Sequence, residues 1–184
     1  MKSEYAMSFI QYLERLTPQG QNKGNPGALA RLRHSLAFAP GAYPAAYPYV
    51  EPFLKLEWEA QDKRRLACYL VAGLYAKHPQ QAEQSLAGAL GVLWSHKEKS
   101  PSIEQRFVAL LGTDAGSLAD HLRQSISLLA SADIGLNYGE LLDDLFIWMN
   151  PAFDLDRIRQ RWAREFYRAA YRETEANNTS NSHV

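Results

Sequence analysis

The chain has 184 residues, 46% hydrophobic and 22% charged, with 20 Lys and Arg balanced by 20 Asp and Glu. That length suits one domain or two small lobes, and folding buries roughly 70% of the surface an unfolded chain of this size exposes. A formal net charge of zero excludes nucleic-acid binding through bulk positive charge, so any such site must arise from segregation of charge.

The N-terminal "MKSEYAMSFI" lacks the apolar run of a secretory signal, and no stretch of about 18 apolar residues follows. A cytoplasmic protein with no membrane contact is expected. Helical periodicity dominates and β-branched runs are nearly absent, so the fold class is all-α, a compact bundle of about eight helices. The first helix, about 3–17, aligns Phe9, Leu13 and Leu16 and stops at Pro18. The polar loop "TPQGQNKGNPG" leads to a second helix with Asn25 as N-cap and Pro26 in its first turn, carrying Leu29, Leu32 and Leu36 inward. "APGAYPAAYPYVEP" then forbids a long helix and predicts a proline- and tyrosine-rich connection.

Asp62 opens the next helix, which runs to about Lys77 with Leu66, Tyr69, Leu70, Gly73 and Leu74 inward. Cys68 lies within it; as the lone cysteine it forms no internal disulfide and reads as a small buried residue. Further helices are expected at about 80–94, Ser100–Leu111, 116–131 and Tyr138–Met149. Ile103, Phe107 and Leu110 line one of these, and Leu118, Leu122, Ile126 and Leu129 the next. Asp154 caps the last helix, 155 to about 172. Residues 1–172 thus form a single all-helical domain, with an alternative division into two lobes near 95–101. The polar tail 173–184 is expected to be disordered.

The last helix carries the charge segregation. On a wheel of 100° per residue, Leu155, Ile158, Trp162, Phe166 and Ala169 share an arc of about 80°. Arg157, Arg161, Arg164, Arg168 and Arg172 form a second stripe, and Arg159 sits on the other flank. Two readings stand. The stripe is solvent cover, or pairs with the acidic cluster Glu140, Asp143 and Asp144. Otherwise it is shaped for phosphates. Further bases sit at loop-to-helix junctions: Lys23, Arg31, Arg33, Lys97, Lys99, Arg106 and Arg123. Arg33 borders an apolar face and Arg31 projects oppositely. Each alone is ordinary surface; together they suit tracking of a phosphate backbone.

Catalytic chemistry has no visible constellation. His34, His78, His96, His121 and His183 are scattered, without HExxH or paired metal spacing, and no GxSxG elbow occurs. "GNPGALARL" lacks the lysine and hydroxyl of a P-loop. Glu57 and Glu59 flank Trp58 without an obvious partner. No cofactor and no metal are expected, and the chain reads as a non-enzyme. Tyr43, Tyr47 and Tyr49 beside the prolines could offer a platform for single-stranded bases, though packing beneath the loop is the simpler reading. Trp148 and Trp162 fall on apolar faces.

The ordered series "GALARLRHSL", "AYPAAYPYVEPF", "HLRQSISLLAS", "LNYGELLDDLFIW" and "RIRQRWAREFY" resembles the CasB family, the small subunit of the type I-E CRISPR Cascade complex. The resemblance spans nearly the whole chain apart from its termini, and no single motif is diagnostic. It implies an all-helical, non-catalytic subunit without cofactor, present as two head-to-tail copies among other Cascade subunits. It further implies contact with CRISPR RNA and with target and non-target DNA strands, stabilising the R-loop. By position, the contacting bases would be Arg31, Arg33, Arg106, Arg123, Arg159, Arg161 and Arg164, with Lys23 and Lys99 added from their loops. His34 stands where the family often has another base. The rival is an architectural helical subunit that binds acidic protein partners without touching nucleic acid; a helical enzyme would need His, Asp or Glu residues to converge in a pocket.

Overall fold

Capping residues and prolines set the helix boundaries in this computed structural model, which describes residues 3–181, with side chains to Glu173. Helix α1 (Glu4–Leu16) starts where the Ser3 hydroxyl accepts the Ala6 N–H at 3.1 Å, and Asp143 in turn holds the Ser3 hydroxyl and N–H. Helix α2 (Pro26–His34) has Asn25 as cap, accepting from Ala28 at 2.9 Å, with Pro26 where a missing N–H costs nothing. The proline-rich stretch breaks into short turns, Ser35–Ala37, Pro44–Ala46 and Glu51–Phe53, around the four-residue helix α3 (Tyr47–Val50). Asp62 caps α4 (Lys63–Lys77), whose residues Ala67 to Ala76 are all buried.

The rest of the chain supplies α5 (Leu86–His96), α6 (Pro101–Gly112), α7 (Leu118–Ser131), α8 (Tyr138–Trp148) and α9 (Asp156–Asn181). The described residues are all-α, as the periodicity predicts, and eight long helices flank the short α3. Two expected boundaries move. Helix α5 begins at Leu86 rather than near 80, because residues 82–84 spend their backbone groups on 135–137. Ala82 N–H reaches the Leu136 carbonyl at 2.9 Å and Asn137 N–H reaches the Gln84 carbonyl at 2.7 Å. Ser85 then caps α5 through the Gly88 N–H. Helix α9 continues to Asn181, past the stop expected near 172. The side chains of 174–184, most of the tail expected to be disordered, lie outside the described ones.

The chain resolves into two compact units, the first of residues 1–81 and 138–153, the second of 82–137 and 154–184. Residues 95–101 fall within the second. In the first, α4 packs against α2 and α8. Gly73 allows α2 and the turn after it to approach, since a Cβ there would meet Leu36 at 2.7 Å and the Leu32 carbonyl of α2 at 3.1 Å. The Tyr138 hydroxyl, wholly buried, donates to the His78 carbonyl at 2.7 Å. In the second, α5 and α9 are the most closely packed pair. The buried face of α9 is Ile158, Trp162, Phe166 and Ala170. Ala170 replaces the expected Ala169, which instead faces Gly91 of α5.

Candidate nucleic-acid interface

Helix α9 is held by its apolar and acidic residues, and Arg157, Arg164, Arg168 and Arg172 are left outward. Phe166 stacks on Phe107 of α6, with ring centroids 4.0 Å apart and planes 7° apart, and on Trp94 of α5 at 5.2 Å. The acidic partners are spent on the same anchoring. Glu165 accepts from the Ser85 hydroxyl at 2.7 Å, Tyr167 donates to Glu104 at 2.7 Å, and Glu173 lies 3.2 Å from His96. The Glu104 carboxylate raises the Tyr167 phenol above its ordinary range.

The stripe divides accordingly. Arg157, Arg164, Arg168 and Arg172 are exposed. Among the described residues, Arg157, Arg164 and Arg168 meet no carboxylate within ion-pair distance. Arg161 is half-buried and its guanidinium lies 3.6 Å from Glu165. Arg159, on the opposite flank, reaches Asp156 at 3.8 Å and the Thr113 carbonyl at 3.5 Å. Asp143 and Asp144 belong to the first unit, where Asp143 caps α1 through Ser3.

The remaining bases fall into two sets. In the second unit, the Lys99 ammonium sits 5.1 Å over the Tyr171 ring of α9 and 6.0 Å over Trp94. A left-handed backbone at Glu98 and Lys99, φ 52° and 56°, places it there. The structure thus brings Lys99 onto the helix that bears the stripe. Arg106 is exposed on α6, and Arg123 on α7 pairs with Asp120 three residues earlier at 2.8 Å. In the first unit, Lys23, Arg31 and Arg33 are all exposed. Arg31 donates to the Tyr49 hydroxyl.

Helical spacing indicates the stripe, but Arg157 and Arg168 are absent from the set that the family resemblance transfers. Each has a carboxylate three residues earlier, Asp154 and Glu165, so helical spacing alone gives no signal that they are open. Arg123, Arg159 and Arg161 are engaged within their own helices; an incoming phosphate would have to displace or share those carboxylates. Among the described residues no group of three or more His, Cys, Asp or Glu side chains could hold a metal ion. None of the described helices is long and apolar enough to cross a membrane.

Comparison with known proteins gives a consistent picture. The family profile of CRISPR-associated protein Cse2 matches residues 28–167. The CRISPR-associated protein Cse2 of Thermus thermophilus is 44% identical over 170 residues, covering 91% of this chain and 92% of that protein. A crystal structure of a Cse2-family CRISPR-associated protein from Thermus thermophilus has a TM-score of 0.74 at 42% identity, covering 91% of this chain and 99% of its own. A chain of a CRISPR RNA-guided surveillance complex shares the fold at a TM-score of 0.77 and 22% identity, covering 95% and 98% respectively.

Proposed function

Because the chain belongs to the CRISPR-associated Cse2 family, we propose that it is the small subunit of a type I-E Cascade surveillance complex in the cytoplasm. In this role it is a non-catalytic, cofactor-free protein. It grips the sugar-phosphate of CRISPR RNA and of target or displaced DNA, beside other Cascade subunits and a second copy of itself. The observation that supports the nucleic-acid part is the row Arg157, Arg164 and Arg168, exposed on α9 and, among the described residues, beyond ion-pair distance of any carboxylate.

The physical role follows from the energetics of strand exchange. Pairing a guide with one DNA strand releases about what opening the duplex costs, so the exchange is nearly balanced. Contacts to the strands it exposes tip that balance without reading bases. Arginine suits this task, since its planar fork meets phosphate through two parallel hydrogen bonds and stays charged. Affinity then falls with salt by about 0.7 to 0.9 log units per decade for each phosphate contact. Isolated binding is weak, and assembly supplies avidity.

The test is reconstitution with a CRISPR RNA-containing complex. Its strand-opening equilibrium is measured with the natural chain and with the Arg33→Ala, Arg106→Ala, Arg157→Ala, Arg164→Ala variant. Normal co-assembly with a weakened, less salt-dependent R-loop is the expected result. Equal R-loop stability would instead favour an architectural subunit that contacts proteins alone.

A further inference from the structure

Between Glu14 and Glu51 the sequence has no acidic residue, yet it carries Arg15, Lys23, Arg31 and Arg33. This is the longest one-signed stretch of a neutral chain, and it contains a cluster of rings. Phe38 and Tyr43 stack with centroids 4.9 Å apart and planes at 15°. The His34 imidazole stands edge-on to both, 5.6 Å from Phe38 and 5.1 Å from Tyr43.

The backbone holds this cluster in shape. The Ala39 carbonyl accepts the Ala42 N–H at 2.9 Å, with Pro40 and Gly41 between them and Gly41 at φ 80°. That is the residue pattern of a type II turn, proline first and glycine in the positive-φ place. The Tyr47 hydroxyl fastens the turn by donating to the Gly41 carbonyl at 3.1 Å. Tyr43 is thereby folded back over Phe38. Tyr43 covers one face of the Phe38 ring, and Phe38 is still 45% exposed.

Arg31 lies one helical turn before His34 on α2, where it donates to the Tyr49 hydroxyl, and Arg33 is exposed on the other flank of His34. A fixed aromatic face next to cations, on a stretch of sequence without acidic residues, combines the two features that bind single-stranded nucleic acid: a π surface for the base and positive charge for the backbone. An acidic protein segment would use the cations but has no need of the open ring. We propose that Phe38, stacked on Tyr43 and braced by His34, is a seat for one unpaired nucleobase, with Arg31 and Arg33 on the phosphates of the same strand. This rests on the strand-binding role given above and adds to it: the protein touches bases as well as backbone, tolerantly of sequence because every base has a π face.

The experiment uses the purified full chain with two fluorescent strands of equal length, oligothymidylate and an abasic counterpart, titrated over a range of salt. Phe38→Ala is expected to lose about tenfold in affinity for oligothymidylate, with the salt slope unchanged and abasic binding unaffected. Phe38→Trp should keep the affinity and show tryptophan quenching, beyond that of the natural chain, only with oligothymidylate. Arg31→Ala with Arg33→Ala should weaken both strands and flatten the slope. If the natural chain binds with salt dependence but Phe38→Ala binds oligothymidylate equally well, the stacking seat is overturned and the backbone role stands. If the natural chain binds neither strand, the backbone role fails and the seat with it. Should Phe38→Ala leave strand binding intact and impair only assembly with partner proteins, the ring is a protein contact and the proposal is likewise overturned.

Discussion

Gly91 of α5 lies so close to the Phe166 carbonyl of α9 that an added Cβ would overlap its oxygen and stand 2.9 Å from its carbon. The missing side chain is what lets the arginine-bearing helix settle against α5, with Ala169 completing the contact. Gly91→Ala gains about 1 kcal/mol of helix propensity. It also forces one backbone off another, and overpacking of this kind costs about 1–3 kcal/mol when only side chains must yield. Here nothing can rotate aside, so the clash wins. Thermal unfolding followed by circular dichroism should show a net fall of several degrees. Gly112→Ala is the control: a Cβ at Gly112 meets nothing within 4 Å, and its melting temperature should hold or rise. An unchanged midpoint for Gly91→Ala would refute the close approach.

With α9 fixed in this way, its arginines can be removed without loosening it. Arg157→Gln, Arg164→Gln and Arg168→Gln together should leave stability within about 0.5 kcal/mol per site, since exposed groups without partners hold nothing in place. Binding should respond differently. Each lost phosphate contact lowers the salt slope by about 0.7 to 0.9, so the triple variant should lose about 2.1 to 2.7 units when all three engage. Arg161→Gln, whose Glu165 partner is four residues away, should cost only about 0.3–0.5 kcal/mol of stability. A triple variant that melts early with its slope intact would make the stripe structural.

Much of this arrangement is legible in the sequence, for physical reasons that differ by element. The wheel of α9 finds Ile158, Trp162 and Phe166 because a long helix with one apolar face repeats its signal over several turns. Asn25–Pro26 and Asp62 are legible because caps act within three residues. The start of α5 is not, since Ala82 and Gln84 are held out of the helix by residues more than fifty positions away. The same limit hides which arginines are open. Glu165 is adjacent to the stripe in sequence, but its bond to Ser85, and that of Glu173 to His96, depend on how α9 docks. The Phe38–Tyr43 stack likewise needs the turn at Pro40–Gly41 in three dimensions, so tyrosines beside prolines read simply as loop packing.

The cap of α4 offers a pH test. Asp62 accepts the Arg64 N–H at 2.9 Å and its guanidinium at 2.7 Å. The side-chain bond from Arg64, more than any other contact, holds this carboxyl below the usual carboxylate range. A depressed folded value means the stabilisation is complete above the unfolded value, near 4, and is lost as pH falls through the folded one. Asp62→Ala should therefore cost about 1 kcal/mol at pH 7. The gap should narrow steadily below pH 4, measured by urea unfolding of both proteins at each pH. A gap independent of pH would mean that the carboxylate contributes shape rather than charge.

The same first unit buries the chain's lone thiol. The Tyr5 hydroxyl donates to the Phe53 carbonyl at 2.9 Å and lies 3.5 Å from the Cys68 sulfur. Burial pushes the thiol up to about 12. At pH 8 an exposed thiol of ordinary pKa is substantially ionised, while one at about 12 has roughly a thousandfold less thiolate. Reaction of the native protein with a disulfide reagent should be slow and should track unfolding; full stoichiometry should appear at once in denaturant. The sign for stability is opposite to that of Asp62. The folded state keeps a proton that the unfolded thiol releases above about 9, so the Cys68 contribution declines as pH climbs from 9 towards 12. Cys68→Ala should remove that part of the alkaline slope. Fast native labelling at pH 8 would show instead that α4 opens readily and that the tyrosine does not seal the sulfur from water.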